Sequence, residues 1–324
     1  MTEWETVDGF KYPNGSIFDR MNSSGITWRL FHDMCGPIEG SLSQVSAIHN
    51  IQLWDVHEFE TFEKEVQSGS YQYQYTFIEP NYGDTADGSY EGGSSQHPMD
   101  NVGGGESLIS KVYETIRNSP IWHLSMLVVT YDEHGGFYDH VGPTDVTAPN
   151  DGGDHSKYNK YGFNFTKYGV RVPALIISPY TTGGVVDSTT YDHTSVLATL
   201  EFLFGLDPLT DRDKKANTFE HLISATPNLN TSTRLPRPAV PAARRPTLTP
   251  QQRAAREAEP VPDGSTLSGF LGLALKADSK LSRTKEERMA AVAKFKSIRT
   301  RGEARYYLRE VMARVRAERA RRQR

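Results

Sequence analysis

The 324-residue chain carries a single cysteine, Cys35, which excludes an intramolecular disulfide framework. Exported proteins can also lack disulfides, so the compartment stays open. No stretch approaches the roughly 18 consecutive apolar residues that a membrane-spanning helix needs. The first residues, MTEWETVDGFKYPNGSIFDR, are acidic and polar where a secretory leader has a basic start and an apolar run. The expectation is a chain without an export signal, of unknown localisation. A Gly-x-Ser-x-Gly elbow is missing, which excludes a serine hydrolase of the α/β-hydrolase kind. No internal repeat is present.

With 37% hydrophobic residues the chain can bury a real core, enough for one large domain or two smaller ones. The net charge of −4 hides an asymmetry. From Lys280 to Arg324 there are 16 Lys or Arg against 5 Asp or Glu, a balance of +11 that leaves −15 on residues 1–279. The body is acidic and the tail basic.

Periodicity gives the element order. GITWRLFHD (25–33) predicts a short strand, and VHEFETFEKEVQSG (56–69) a helix burying Phe59, Phe62 and Val66. YQYQYTFIEP (71–80) predicts a strand ending near Glu79, followed by a Gly/Ser-rich loop over 83–106. ESLISKVYETIRNSP places Leu108, Ile109, Val112 and Ile116 on one helical face, with Pro120 as a stop. SMLVVTY (125–131) and RVPALIISP (171–179) are continuous apolar runs, the form of strands covered on both faces. DHTSVLATLEFLFG (192–205) predicts a helix capped at Asp192 or Thr194 and closed at Gly205. This alternation argues for an α/β sandwich with a largely parallel sheet.

Composition changes after about residue 224. The expected division is a body over 1–224, a Pro-rich linker over 225–264 and a basic helical tail over 265–324. In the tail, GSTLSGFLGLALKADSKL predicts a docked helix, and the rest predicts two helices broken near Gly302. The second carries an apolar stripe of Tyr306, Tyr307, Leu308, Val311, Met312 and Val315.

The chemistry is concentrated in VVTYDEHGGFYDHVGP (128–143). Asp132 and Glu133 fall at the carboxyl end of a strand, where α/β sheets place their ligands. Two adjacent carboxylates stay ionised together only beside a cation, and one divalent metal ion is the simplest. Oxygen donors suit Ca²⁺, Mg²⁺, Mn²⁺ or Zn²⁺ and do not choose among them. Gly135 and Gly136 allow a tight turn beside that ion, and Asp139 with His140 can support it or touch substrate. The alternative reading of the same residues is a polar surface turn.

DEHGGFYDHV resembles the Asp-Glu-x-x-Gly-x-x-Asp-His-Val motif of the phosphoesterase family, which includes non-specific, phosphatidylcholine-hydrolysing phospholipases C and related acid phosphatases. GVRVPALIISP (169–179) resembles the family's Gly-x-Arg-Val-Pro motif. Flanking similarity in FIEP, QHPMDNVGGGESLISKVYETIRNSPIW, DHTSVLATLEFLFGL and LTDRDKKANTFE extends it over roughly residues 16 to 221. More faintly, the helices after residue 265 resemble the tail of the plant members.

The resemblance implies an alkaline-phosphatase-like α/β sandwich, incomplete at the N-terminus, with a helical C-terminal extension. It implies Asp132 and Glu133 as metal ligands and His97 as a phosphate contact. His140 and His193 are further candidate catalytic residues, His134 and Glu79 supports, and Arg171 the partner of a buried acid. The implied substrate is a phospholipid or a soluble phosphomonoester. Two family motifs, Glu-Asn-Arg-Ser-Phe-Asp with further ligands and Thr-x-Pro-Asn-Arg beside the nucleophile, have no match here. A truncated, weakly active or inactive hydrolase is therefore expected. The competing expectation is a catalytically dead remnant that binds lipid or a protein partner through its basic tail. That tail could meet an anionic membrane surface, and it shows no nucleic-acid recognition motif.

Overall fold

Trp28–His32 (β1), His57–Glu58 (β2) and Tyr75–Glu79 (β3) form a parallel sheet in the order β2-β1-β3. The computed structural model describes residues 7–154, 156, 159, 161–239 and 248–322. Side chains alternate across a strand, so the central strand serves two cores. Leu30 packs with Ile17, Phe18 and Met21 of helix Ile17–Ser23 (α1) and with Leu200 of Thr194–Phe204 (α4), while Phe31 packs with Phe62 of Phe59–Gln67 (α2) and Val112 of Gly103–Arg117 (α3). Helices thus cover both faces of the sheet. The protein is an α/β fold with a parallel sheet and a helical C-terminal region.

The other two strands depart from expectation. Leu127–Thr130 (β4) and Ala174–Ile177 (β5) pair antiparallel as a separate two-stranded sheet. Nor are they covered on both faces, since Leu175 is 56% exposed. An apolar run shows that a strand suits burial on both sides; the neighbour that would bury it comes from elsewhere in the fold.

Two sequence details shift in the same way. The helix from Asp192 begins at Thr194, with the Asp192 carboxylate accepting the Thr194 backbone N–H at 2.8 Å, and Gly205 closes it at φ 63°. After the short helix Asp211–Lys215 (α5), the Pro-rich stretch carries a helix, Pro250–Ala258 (α6), which Thr249 caps, with Pro250 in its first turn where a missing N–H costs nothing. Upstream of it the backbone is strapped along α3: Tyr113 donates to Ser232 O at 2.6 Å and Arg117 to Leu229 O at 2.8 Å. Residues 240–247 of that stretch lie outside the described residues.

The tail forms three helices, Thr266–Leu281 (α7), Lys285–Ser297 (α8) and Arg301–Arg322 (α9). The last break falls at Ile298–Thr300, just before the predicted Gly302. Tyr307, Leu308, Val311, Met312 and Val315 are buried with Leu267, Phe270 and Leu271 of α7 and with Leu42 and Leu53 of the body; Tyr306 is exposed. Charge asymmetry is resolved in the same interface. Arg305 bonds Glu39 at 3.1 Å and Asp84 at 2.9 Å, Arg309 reaches Glu39 at 2.7 Å, and Arg319 reaches Glu58 at 3.0 Å. Among the described residues no helix is long and apolar enough to cross a membrane.

One buried acid makes stability pH-dependent. Glu201 on α4 is 6% exposed, and burial, then its hydrogen bond to and the charge of Asp213, push its carboxyl up to about 8. Its folded value exceeds the unfolded one, so its stabilising contribution is complete at low pH and is lost as pH rises to about 8. Glu201→Gln should flatten a fall of at most about 1.4 kcal/mol per pH unit between roughly pH 5 and 8. Denaturant melts of both proteins across that range would show it; parallel curves would rule the coupling out.

Candidate active site

β1 and β3 end in register, His32 beside Glu79, and the residues that follow these ends build a buried polar floor. Glu79 is 3% exposed and accepts from Ser43 Oγ, the Gln44 and Val45 backbone N–H groups, and Tyr82 OH at 2.7 Å. The expected supporting role thus has a physical form: Glu79 orients Tyr82. Burial together with the charges of Glu79 and Asp132 holds the Tyr82 phenol well above its ordinary value, so it stays a donor.

Tyr131, Asp132 and Glu133 follow β4 and open onto a cleft of about 1000 Å³. The next residues turn back sharply. Phe137 N–H donates to His134 O at 2.9 Å, and Gly135 and Gly136 have φ of 62° and 81°. Consecutive positive φ values are what glycine permits without strain. Gly135 has a second reason to be glycine, because a Cβ there would lie 2.6 Å from Pro98 Cγ. The turn therefore presses the acidic pair against the loop that carries His97. Gly135→Ala should cost about 1–2 kcal/mol through the left-handed backbone alone and push the 97–98 loop outward. A lowered melting temperature with shifted His97 ring resonances is the expected outcome; unchanged His97 resonances would show the contact to be incidental.

His97 lines the same cleft as Asp132 and Glu133. Its ring stacks on Tyr90 with centroids 3.5 Å apart, and its Nδ1 accepts the Met99 N–H at 3.2 Å, which leaves the proton of the neutral ring on Nε2. Partial burial lowers its basicity, against the opposing pull of Glu133, Asp132 and Asp100. His140 is exposed and outside the cleft lining. His193 is also exposed, and its Nε2 lies 2.8 Å from Tyr131 O, behind the backbone of the acidic pair. His134 holds the turn, 2.9 Å from Phe137 O.

Arg171 donates from Nε to Asp139 at 2.9 Å and forms an ion pair with it, joining the two sequence motifs. The expected partner was a buried acid; Asp139 is exposed, because both residues sit on the cleft rim. That arginine, then the Val141 N–H, hold the Asp139 carboxyl below its ordinary value.

Asp132 Oδ1 accepts the Glu133 N–H at 3.0 Å and Glu133 Oε2 the Gly135 N–H at 2.8 Å. Among the described residues neither carboxylate forms an ion pair with Lys or Arg, His97 being the basic group that feels their charge, and each keeps one oxygen without a bond. Two unneutralised carboxylates side by side fit a hard divalent cation. They supply only part of a ligand set. The three-residue group of His, Cys, Asp and Glu that converges within 4.8 Å among the described residues is Asp33, Cys35 and Glu60. There the Cys35 thiol donates to Glu60, and that bond, with burial, pushes it up to about 11.

Sequence reading missed Tyr82, Gln96 and Lys276 in the cleft lining. Lys276 carried a signal, the first charge met after the apolar run GFLGLAL.

The phosphoesterase family profile matches residues 3–207, and the chain belongs to the phosphoesterase family. Non-specific phospholipase C6 of Arabidopsis thaliana is 35% identical over 239 residues, covering 69% of this chain and 44% of the relative. Non-specific phospholipase C3 of the same plant is 30% identical, covering 66% and 42%. The non-hemolytic phospholipase C of Pseudomonas aeruginosa is 28% identical over 58% of this chain and 29% of its own length. The chain thus spans less than half the length of these relatives.

Proposed function

We propose that the cleft is one wall of a metal-dependent site that hydrolyses phosphate esters, with phospholipids as substrates, on an alkaline-phosphatase-like sandwich. The observation that carries this reading is the convergence of His97 with Asp132 and Glu133 in one cleft, from a loop and a strand end distant in sequence. Asp132 and Glu133 would hold the divalent ion through their free oxygens. Such an ion polarises a phosphoryl oxygen and offsets charge that develops in the transition state. His97, set by Tyr90 and Met99, donates from Nε2 to a phosphoryl oxygen. His193 acts by fixing Tyr131, and His140 by modulating Asp139. Attack on phosphorus needs a Ser or Thr nucleophile, and none of the 324 residues matches the family's nucleophile motif. The chain alone is then slow or inactive.

A second reading, a catalytically dead remnant that binds lipid or a partner, is favoured by the incomplete ligand set at Asp132 and Glu133. Arg305, Arg309 and Arg319 are engaged with body acids, so anionic-membrane contact would rest on exposed residues such as Arg283, Lys285, Arg288 and Arg316. Assays of the chain on a chromogenic phosphate ester and on phosphatidylcholine, with Mg²⁺, Ca²⁺, Mn²⁺ or Zn²⁺, decide between them. Metal-dependent turnover lost in Asp132→Asn supports the hydrolase; metal binding without turnover supports one wall of a larger site; neither leaves the remnant.

A further inference from the structure

We infer that a second cavity, at the amino ends of β1 and β2, binds a phosphate monoester of a flat aromatic group, of nucleoside-monophosphate size. β2 pairs with β1 only at Phe31 and His32, so Trp28, Arg29 and Leu30 have no strand beside them on that side. Trp54 and Asp55, in the single turn before β2, and Arg319 and Arg322, at the end of α9, wall the gap, which measures about 360 Å³. A cavity of that size suits a small organic ligand. It lies at the end of the sheet away from the cleft, whose floor follows the carboxyl ends of β1 and β3.

The lining combines two chemistries. Three arginines meet one carboxylate, that of Asp55. Each arginine uses part of its fork on an acid outside the lining and keeps the rest. Arg29 holds Glu65 through Nε and Nη2 at 3.1 and 2.8 Å, and among the described residues its Nη1 has no hydrogen-bond partner. Arg322 gives Nε to Glu318 at 2.7 Å and likewise keeps both terminal nitrogens. Arg319, 7% exposed, gives Nη1 to Glu58 and Nη2 to Leu53 O, and its buried Nε has no partner. Unmet donors on cations call for an anionic acceptor, and the guanidinium fork matches a phosphate. Trp28 and Trp54 supply flat apolar walls. The Arg322 guanidinium lies 5.2 Å over the Trp54 ring, and Trp28 Nε1 is taken by Asn22 Oδ1 at 2.8 Å, so that ring offers surface rather than a donor. Burial, then the charge of Arg29, push the His57 ring down to about 4, and it lines the gap as a neutral aromatic. Arginine beside tryptophan recognises a phosphate carried by a ring that can stack.

The test is calorimetric titration of the full chain in EDTA, which keeps divalent ions from the cleft, with adenosine monophosphate, adenosine and inorganic phosphate. The nucleotide should bind at least about tenfold more tightly than either part alone, the increment of one stacked base or one charge-assisted contact. Arg322→Glu, at a side chain 51% exposed, should weaken the nucleotide more than about tenfold with an unchanged melting temperature. Asp55→Asn removes the one lining carboxylate and keeps an oxygen that can accept the Gln52 N–H, so it should tighten the nucleotide about threefold or more. Damage to the fold does not raise affinity. No binding of the nucleotide, equal binding of nucleotide and phosphate, or nucleotide binding indifferent to both variants overturns the site; the last would place the nucleotide in the cleft with His97.

Discussion

Asp132→Asn should abolish divalent-cation binding at the cleft and any metal-dependent turnover with it. The substitution keeps the size and the hydrogen bond to the Glu133 N–H, so the change is one of charge at a single oxygen pair. Removing a group that merely orients a metal ligand costs about 10- to 100-fold in affinity or activity. Loss of a ligand from a set that already has only two carboxylates should exceed that, by at least about 100-fold. Calorimetric titration with Mn²⁺ or Ca²⁺ measures it directly, and Glu133→Gln should behave alike. Retention of wild-type affinity by both variants would move the metal elsewhere, with Asp33, Cys35 and Glu60 the next place to look.

The largest effect on stability is expected from the tail. Cutting the chain before α7 removes most of the largest buried cluster, leaving Leu42, Leu53 and Ala86 with only Met34, Ile38, Tyr82 and Val261 of it. It also removes Arg305 and Arg309 from Glu39, whose side chain is 1% exposed. A buried carboxylate stripped of one cation costs about 3–5 kcal/mol, and a typical domain has only about 5–15 kcal/mol to lose. Residues 1–264 alone should therefore fail to fold cooperatively. Leu308→Ala, at a fully buried position, should cost about 2–5 kcal/mol, and Arg305→Ala about 3 kcal/mol. Thermal melts by circular dichroism test all three. A sharp, native-like melt of the truncated chain would show that the tail is an independent appendage.

Local pattern carried much of the fold. Phe59, Phe62 and Val66 recur with helical period and are buried on α2, and the aromatic alternation before Glu79 ends in β3 where the pattern stops. The acidic pair was legible because it follows an apolar strand, and Gly135 because few other residues fit the turn. Less was visible where a residue acts through a distant neighbour. Nothing in GVRVP shows that Arg171 meets Asp139 on an exposed rim, and nothing in the run ALII shows an antiparallel partner with one face open.

Periodicity, composition and short motifs are properties of neighbours along the chain. By themselves they determined the family resemblance, the main strands and helices, the acidic pair and the division between an acidic body and a basic tail. Which surfaces meet depends on burial and on charges brought together from far apart. Only the tertiary structure decided that the tail's arginines are engaged by acids of the body, that His97 joins Asp132 and Glu133, and that α7 closes the cleft they share.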